Sequence, residues 1–215
     1  MNVAYIPARG GSKGIKDKNK KLMCGRPLVM WSIIQALNAE CVAQVLVSSD
    51  DEWILEYAVQ AGATPIQRAA HLATDEAQIE DSIIAEVRDA ENVILLQPTS
   101  PLRRPYDIDR AFEHFKEAHA DSLLSMVEEA HHFVWGRDRG LRWVPPYVVR
   151  PRRQDMKLGF RETGSIYISR LAGLVERRQR LFGKIAAYTM EEFQGYEVDT
   201  ETDWVVVESL MEKML

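Results

Sequence analysis

The sequence predicts an α/β protein, a mostly parallel β-sheet covered on both faces by helices, formed by one domain over residues 1–215. Two observations point there. Short apolar runs of strand length alternate with segments whose apolar residues recur every three or four positions. In addition, 215 residues with 46% hydrophobic and 27% charged side chains suffice for a sizeable core without disulfides or a structural metal.

Residues 3–6, Val-Ala-Tyr-Ile, read as a buried strand that ends at Pro7 and feeds a glycine-rich turn over residues 9–14. Leu28, Trp31, Ile34 and Leu37 then mark an amphipathic helix with Pro27 in its first turn. A second strand is predicted at residues 45–48. Ser49 and Glu52 have capping-box spacing ahead of the periodic Trp53, Ile54, Tyr57 and Ala58. A strand at 64–66, a helix over about 79–89, a strand at 93–96, a helix through Ile108, Ala111, Phe112 and Phe115, and a strand at 122–127 continue the alternation. Regularity fails from about residue 128 to 160, a stretch rich in Arg, His, Trp and Pro whose length suggests an interface arm or functional loop. Beyond it, strands are expected at 165–168 and 185–188 and a terminal helix at 202–214, capped by Thr200 with Asp203.

Net charge is −5, which argues against a general nucleic-acid binder. The charge is nonetheless uneven. Arg9, Lys13, Lys16, Lys18, Lys20 and Lys21 face only Asp17 in the first window, a local +5. Eight cations against two acids give +6 over residues 137–161. Two cationic patches on an acidic body suit compact anions such as phosphates and carboxylates. No apolar stretch approaches the roughly 20 residues of a membrane span, and the first residues lack a signal-peptide layout, so a cytoplasmic location without membrane contact is expected. Cys24 and Cys41 are too few for a disulfide framework.

Two motifs carry chemistry. In Ala8-Arg9-Gly10-Gly11-Ser12-Lys13-Gly14, glycines let backbone N–H groups approach an anion, and the interleaved Arg, Ser and Lys add charge-assisted donors. Neither G-x-x-x-x-G-K-[ST] nor G-x-G-x-x-G is present, which disfavours an ATPase or a nicotinamide enzyme. In Gln97-Pro98-Thr99-Ser100-Pro101-Leu102-Arg103, short polar side chains follow a strand in a turn stiffened by two prolines, a suitable holder for a sugar or a base.

Taken in order, A-R-G-G-S-K-G-(x)4-N, L-L-Q-P-T-S-P-L-R, F-R-x-x-G-S-I-Y-I and V-D-T-E-x-D-W span nearly the whole chain. This pattern resembles the N-acylneuraminate (CMP-sialic acid) cytidylyltransferase family. The resemblance implies a Rossmann-like three-layer sandwich of nucleotidyltransferase type with a dimerisation arm at 128–160. It also implies an enzyme that joins CTP to a nine-carbon 2-keto-3-deoxy sugar acid, giving the CMP-sugar and pyrophosphate with Mg²⁺. By the same resemblance Ala8, Arg9, Gly10, Gly11, Ser12, Lys18 and Asn19 bind nucleotide, and Arg9, Lys18 and Asp199 serve catalysis. Gln97, Thr99, Ser100, Arg153 and Arg161 would bind the sugar acid.

Asp199 matches one aspartate of the family's metal-binding pair, while Glu197 stands where the family has the other, so the longer side chain moves the ligating oxygen. Gln78 lies near where some relatives carry a substrate-contacting serine. His131 and His132 open the arm, where an interface role competes with a catalytic one. Trp135, Trp143 and Tyr147 among the arm's arginines have interface composition, and the resemblance implies a homodimer that exchanges this arm across its two-fold, with Arg153 near the partner's site. A GTP-dependent or eight-carbon 3-deoxy-octulosonate enzyme, or a non-catalytic sugar-nucleotide-binding protein, are the alternatives.

Overall fold

The computed structural model describes residues 1–11, 14–129, 135–138, 142–155 and 159–215. The elements begin with β1 (Asn2–Pro7), the short ladder of β2 (Leu22–Met23) and β3 (Arg26–Pro27), α1 (Leu28–Leu37), β4 (Gln44–Ser49), α2 (Glu52–Ala61), β5 (Thr64–Gln67) and α3 (Ile79–Glu86). Next come β6 (Asn92–Leu96), α4 (Pro105–Glu117), β7 (Ser122–Glu129), β8 (Gly136–Arg137), β9 (Trp143–Val144), β10 (Gly159–Arg170), α5 (Leu171–Arg177), β11 (Ile185–Thr189) and α6 (Glu201–Glu212).

One seven-stranded sheet has the order β11-β7-β10-β6-β1-β4-β5. Only β10 runs against its neighbours, antiparallel to both β6 and β7. Along β1 the side chains divide by parity. Val3 and Tyr5 enter the core that also holds Ile83 of α3 and Leu174 of α5, whereas Ala4 and Ile6 enter the one that holds Val29 and Ile33 of α1, Ile54 of α2 and Ile108 of α4. Burial on both faces explains the unbroken apolar runs of β1, β4 and β6. A third cluster joins Ile15, Met23 and Trp31 to Val198, Trp204 and Val207, which ties the segment after the glycine-rich turn to α6.

The chain steps from β1 outward through β4 to β5, then returns to place β6 on the other side of β1. Strand order therefore reverses between β1 and β6, and a crevice opens over their carboxyl ends, where sheets of this kind bind ligands. Both sequence motifs leave the sheet there.

Several expectations need correction. The cap of α2 is Asp51, whose carboxylate accepts the Ile54 N–H, and not Ser49, which stays paired in β4 and accepts the Asp51 N–H on its hydroxyl. Helix α3 stops at Glu86, short of residue 89, where Asp89 takes a left-handed φ of 54°. The strand expected at 165–168 is the middle of the twelve-residue β10, whose register with β7 shifts between Glu162 and Tyr167. Helix α5 carries one buried residue, Leu174, too few to show as a period. Thr200 and Asp203 cap α6 reciprocally, as expected.

Candidate active site

A cavity of about 460 Å³ occupies the crevice. Arg9, Lys18 and Asn19 line it from the first motif, Gln97 and Thr99 from the second, and Asp199 from the acidic segment before α6. Six predicted residues, spread over 190 positions of sequence, thus share one opening. The opening brings cations and polar side chains together, a combination suited to an anion beside a hydroxylated molecule.

The glycine-rich turn is braced mostly from behind. The Ala8 N–H donates to the Ser48 carbonyl at 2.9 Å, and the Gly10 N–H to Asp50 Oδ1 at 2.8 Å. These two amides set the shape of the turn; they do not face the cavity. Close packing adds to the bracing, because a Cβ on Gly10 would stand 2.8 Å from the Asp51 Cβ. Asn19 Nδ2 holds the Arg9 carbonyl at 2.9 Å, and Arg9 Nη1 pairs with Asp75 at 2.6 Å. Gly11 is exposed beside the turn, and Ser12 lies outside the described residues.

Lys18 crosses to the acidic segment. Its Nζ donates to the Val198 carbonyl at 2.7 Å and to Asp199 Oδ1 at 3.1 Å. The Val198 N–H in turn donates to the Thr99 carbonyl at 2.8 Å. Val198 itself is fully buried, whereas Asp199 is exposed at the cavity. Gly14 packs so closely here that a Cβ on it would come within 2.3 Å of the Asp199 carbonyl oxygen.

Glu197 is half-buried, its carboxylate in the space that a Gly164 side chain would fill, 2.8 Å from an added Cβ. Gly164 adopts φ +62°, so a side chain there would be strained as well. Burial first, and then the charge of Asp199, push the Glu197 carboxyl up to about 7, with Arg161 and Lys18 pulling the other way. Two crowded carboxylates of this kind suit a divalent cation, which would relieve both penalties. Among the described residues no cluster of three or more His, Cys, Asp or Glu could hold a metal. An ion bound here would therefore need ligands from outside this pair.

Ser100 and Arg161 do not line the cavity. Ser100 is buried with its hydroxyl unpartnered, and its N–H donates to the Gln97 carbonyl. Arg161 donates to Glu129 at 2.8 Å and to the Gly195 carbonyl at 2.8 Å, next to the acidic segment. Arg153 opens a single 3₁₀ turn in the arm.

Sequence reasoning missed Arg68. It lines the cavity just past β5 and donates to Ser48 Oγ at 2.9 Å and to the Ser48 carbonyl at 3.0 Å. Its position at a strand's carboxyl end was the available signal.

The cytidylyltransferase family model matches residues 3–214. The chain belongs to this family. Its similarity to a CMP-N,N'-diacetyllegionaminic acid synthase of Legionella pneumophila is 32% identity, over 98% of this chain and 96% of that protein. An N-acylneuraminate cytidylyltransferase of Streptococcus agalactiae is 29% identical over 95% of this chain, and N-acylneuraminate cytidylyltransferase A of Danio rerio 32% over the same share. The match covers 52% and 49% of those two proteins, so this chain spans about half their length. Among solved structures, one described as CMP:2-keto-3-deoxy-manno-octonic acid synthetase complexed with CTP superimposes with a TM-score of 0.77 at 20% identity, over 100% of this chain and 99% of that one. A 4-diphosphocytidyl-2C-methyl-D-erythritol synthase from Anaerococcus prevotii gives 0.69 at 9% identity, over 99% and 98%. These two likenesses extend the family's fold to the whole chain.

Proposed function

We infer that the chain couples CTP to a nine-carbon 2-keto-3-deoxy sugar acid, sialic acid or a relative such as legionaminic or pseudaminic acid, and releases pyrophosphate. The observation that carries this reading is the shared cavity, which Arg9, Lys18, Gln97, Thr99 and Asp199 line together. The names of the relatives with about 30% identity support it.

CTP carries about four negative charges, so cationic neutralisation must precede approach of an oxygen nucleophile to the α-phosphorus. In this reading Arg9, Lys18 and Ser12 grip the triphosphate, with Gly11 shaping the turn. Gln97 and Thr99 orient the sugar acid so that its anomeric oxygen lies in line with the departing pyrophosphate. The new bond joins that oxygen to the α-phosphorus, the α–β bridging bond breaks, and the hydroxyl proton passes to solvent. Mg²⁺ held by Asp199 and Glu197 would supply charge neutralisation on the phosphates. Arg153 and Arg161 are assigned to the sugar acid's carboxylate.

A pyrophosphate-release panel crossing four nucleoside triphosphates with nine-carbon acids and 3-deoxy-octulosonate, with and without EDTA, tests this. Release is expected with CTP, a nine-carbon acid and Mg²⁺ only. Turnover with GTP or the eight-carbon acid alone would replace the substrate assignment, and nucleotide binding without release would leave a binding protein. Gly14→Ala is expected to raise the KM for CTP by about 10-fold, because its methyl group must displace the Asp199 carbonyl. An unchanged KM would show that the turn and the acidic segment need not touch.

The arm supports a homodimer. Trp143 is 65% exposed, and Val148 and Val149 are more open still. Sedimentation equilibrium at micromolar concentration is expected to give twice the chain mass, and a monomer would remove the interface. His131 and His132 lie outside the described residues. No helix among the described residues is long and apolar enough to cross a membrane. A cytoplasmic location without nucleic-acid or membrane partners remains part of this reading.

A further inference from the structure

Among the described residues Arg103 is the largest fully buried side chain, and it does not line the cavity. Its Nη1 donates to the Ser165 carbonyl at 2.6 Å and to Ser165 Oγ at 3.3 Å. Its Nη2 donates to Ser32 Oγ and, at 3.2 Å, to the Gln97 carbonyl. Three separate elements, β10, α1 and the turn after β6, thus converge on one guanidinium. Those partners are neutral. The charge of Asp107 acts on Arg103 only from a distance, because its oxygens already accept from the Arg104 N–H, Gln194 Nε2 and Tyr188 Oη. The Arg103 Nε has no partner at all.

A buried cation without a contacting carboxylate is a poor way to stabilise a core, and an apolar side chain of similar volume commonly does as well. What a guanidinium adds is a rigid planar fork that holds several oxygens in a fixed relation. Here the fork settles where Gln97 sits. The Gln97 carbonyl also accepts from Ser32 Oγ at 3.4 Å and from the Ser100 N–H at 3.2 Å. At its other end the fork grips Ser165, the residue after Gly164, against which the Glu197 carboxylate rests.

We propose that Arg103 is a positioning residue that sets the sugar-acid turn relative to the acidic segment without contacting either substrate. The proposal rests on the assignment of Gln97 and Thr99 to the sugar acid. It deepens that assignment by naming the group that orients them.

The test is Arg103→Lys, which keeps the cation and removes the fork, with Ser32→Ala as a milder change that leaves Arg103 in place. Both are compared with wild type for the KM of each substrate, kcat, CTP affinity by calorimetry, and thermal melting. Arg103→Lys is expected to raise the sugar-acid KM by about 10-fold or more and leave the CTP dissociation constant within about twofold. Ser32→Ala is expected to move the same KM in the same direction by about threefold. A merely structural role would shift melting and leave both KM values alone. If Arg103→Lys does not fold, Ser32→Ala decides on its own. Unchanged sugar-acid KM in the folded variants, or equal loss for CTP and the acid, overturns the proposal. Wild type that releases no pyrophosphate with any 2-keto-3-deoxy acid instead defeats the reading beneath it.

Discussion

Asp199→Ala is expected to lower pyrophosphate release by at least about 100-fold, the scale for loss of one charge-stabilising group at a phosphoryl centre. The carboxylate is exposed at the cavity and takes a hydrogen bond from Lys18 at 3.1 Å, so its loss removes half of the acidic pair and one tether of the ammonium. The fold should tolerate the change. Its side chain is 70% exposed, and the Val198 carbonyl still holds Lys18. Asp199→Asn separates the two roles, since it preserves the shape and the Lys18 contact but is a weaker metal ligand. Raised Mg²⁺ should recover part of the Asn variant's rate and little of the Ala variant's. Near-normal turnover for Asp199→Ala, with an unchanged melting temperature, would remove Asp199 from the chemistry.

Arg9→Ala is the second large effect, again about 100-fold or more in turnover. Its guanidinium enters the cavity from a backbone fixed by Asn19 and by the Ala8 and Gly10 amides, so only the side chain is lost. The pair with Asp75 is about one-third exposed on each side and contributes at most roughly 1 kcal/mol to folding, so melting should barely shift. Arg9→Lys is expected to recover charge but not the two-pronged grip on phosphate, giving an intermediate rate. A normal rate in Arg9→Ala would transfer the triphosphate to other cations, Lys18 and Arg68 first among them.

The central strands could be read from the chain because both of their faces are buried. Tyr5 and Ile6 enter different cores, so β1 has no polar alternation to obscure it. The edge of the architecture was harder. The first half of β10 is largely exposed and bulged, so only its buried half, Ser165 onward, looked like a strand. Its direction could not be foreseen, since pairing is decided by tertiary contacts. The capping-box spacing pointed to Ser49, but the β4 ladder retains that residue and the cap falls on Asp51.

For the site, the two motifs lay in continuous segments and could be recognised directly. Their meeting with Asp199 depends on the packing of α6 against Ile15 and Trp31, a contact between distant parts of the chain. Arg68 stood outside both motifs, marked only by its position at the carboxyl end of β5. The outward-facing role of the Gly10 amide was equally hidden, because Asp50 claims it from across the turn.

Val198 joins the two sides of the crevice through its backbone, its N–H fastened to Thr99 and its carbonyl to Lys18. One residue thus couples the 97–99 turn to Lys18 through two successive peptide planes, so a shift of either side is passed to the other. Laboratory evolution that reshapes the 97–99 turn would shift the Val198 backbone and displace Lys18 with it. Compensating mutations should then gather around position 198 rather than in the pocket wall first altered.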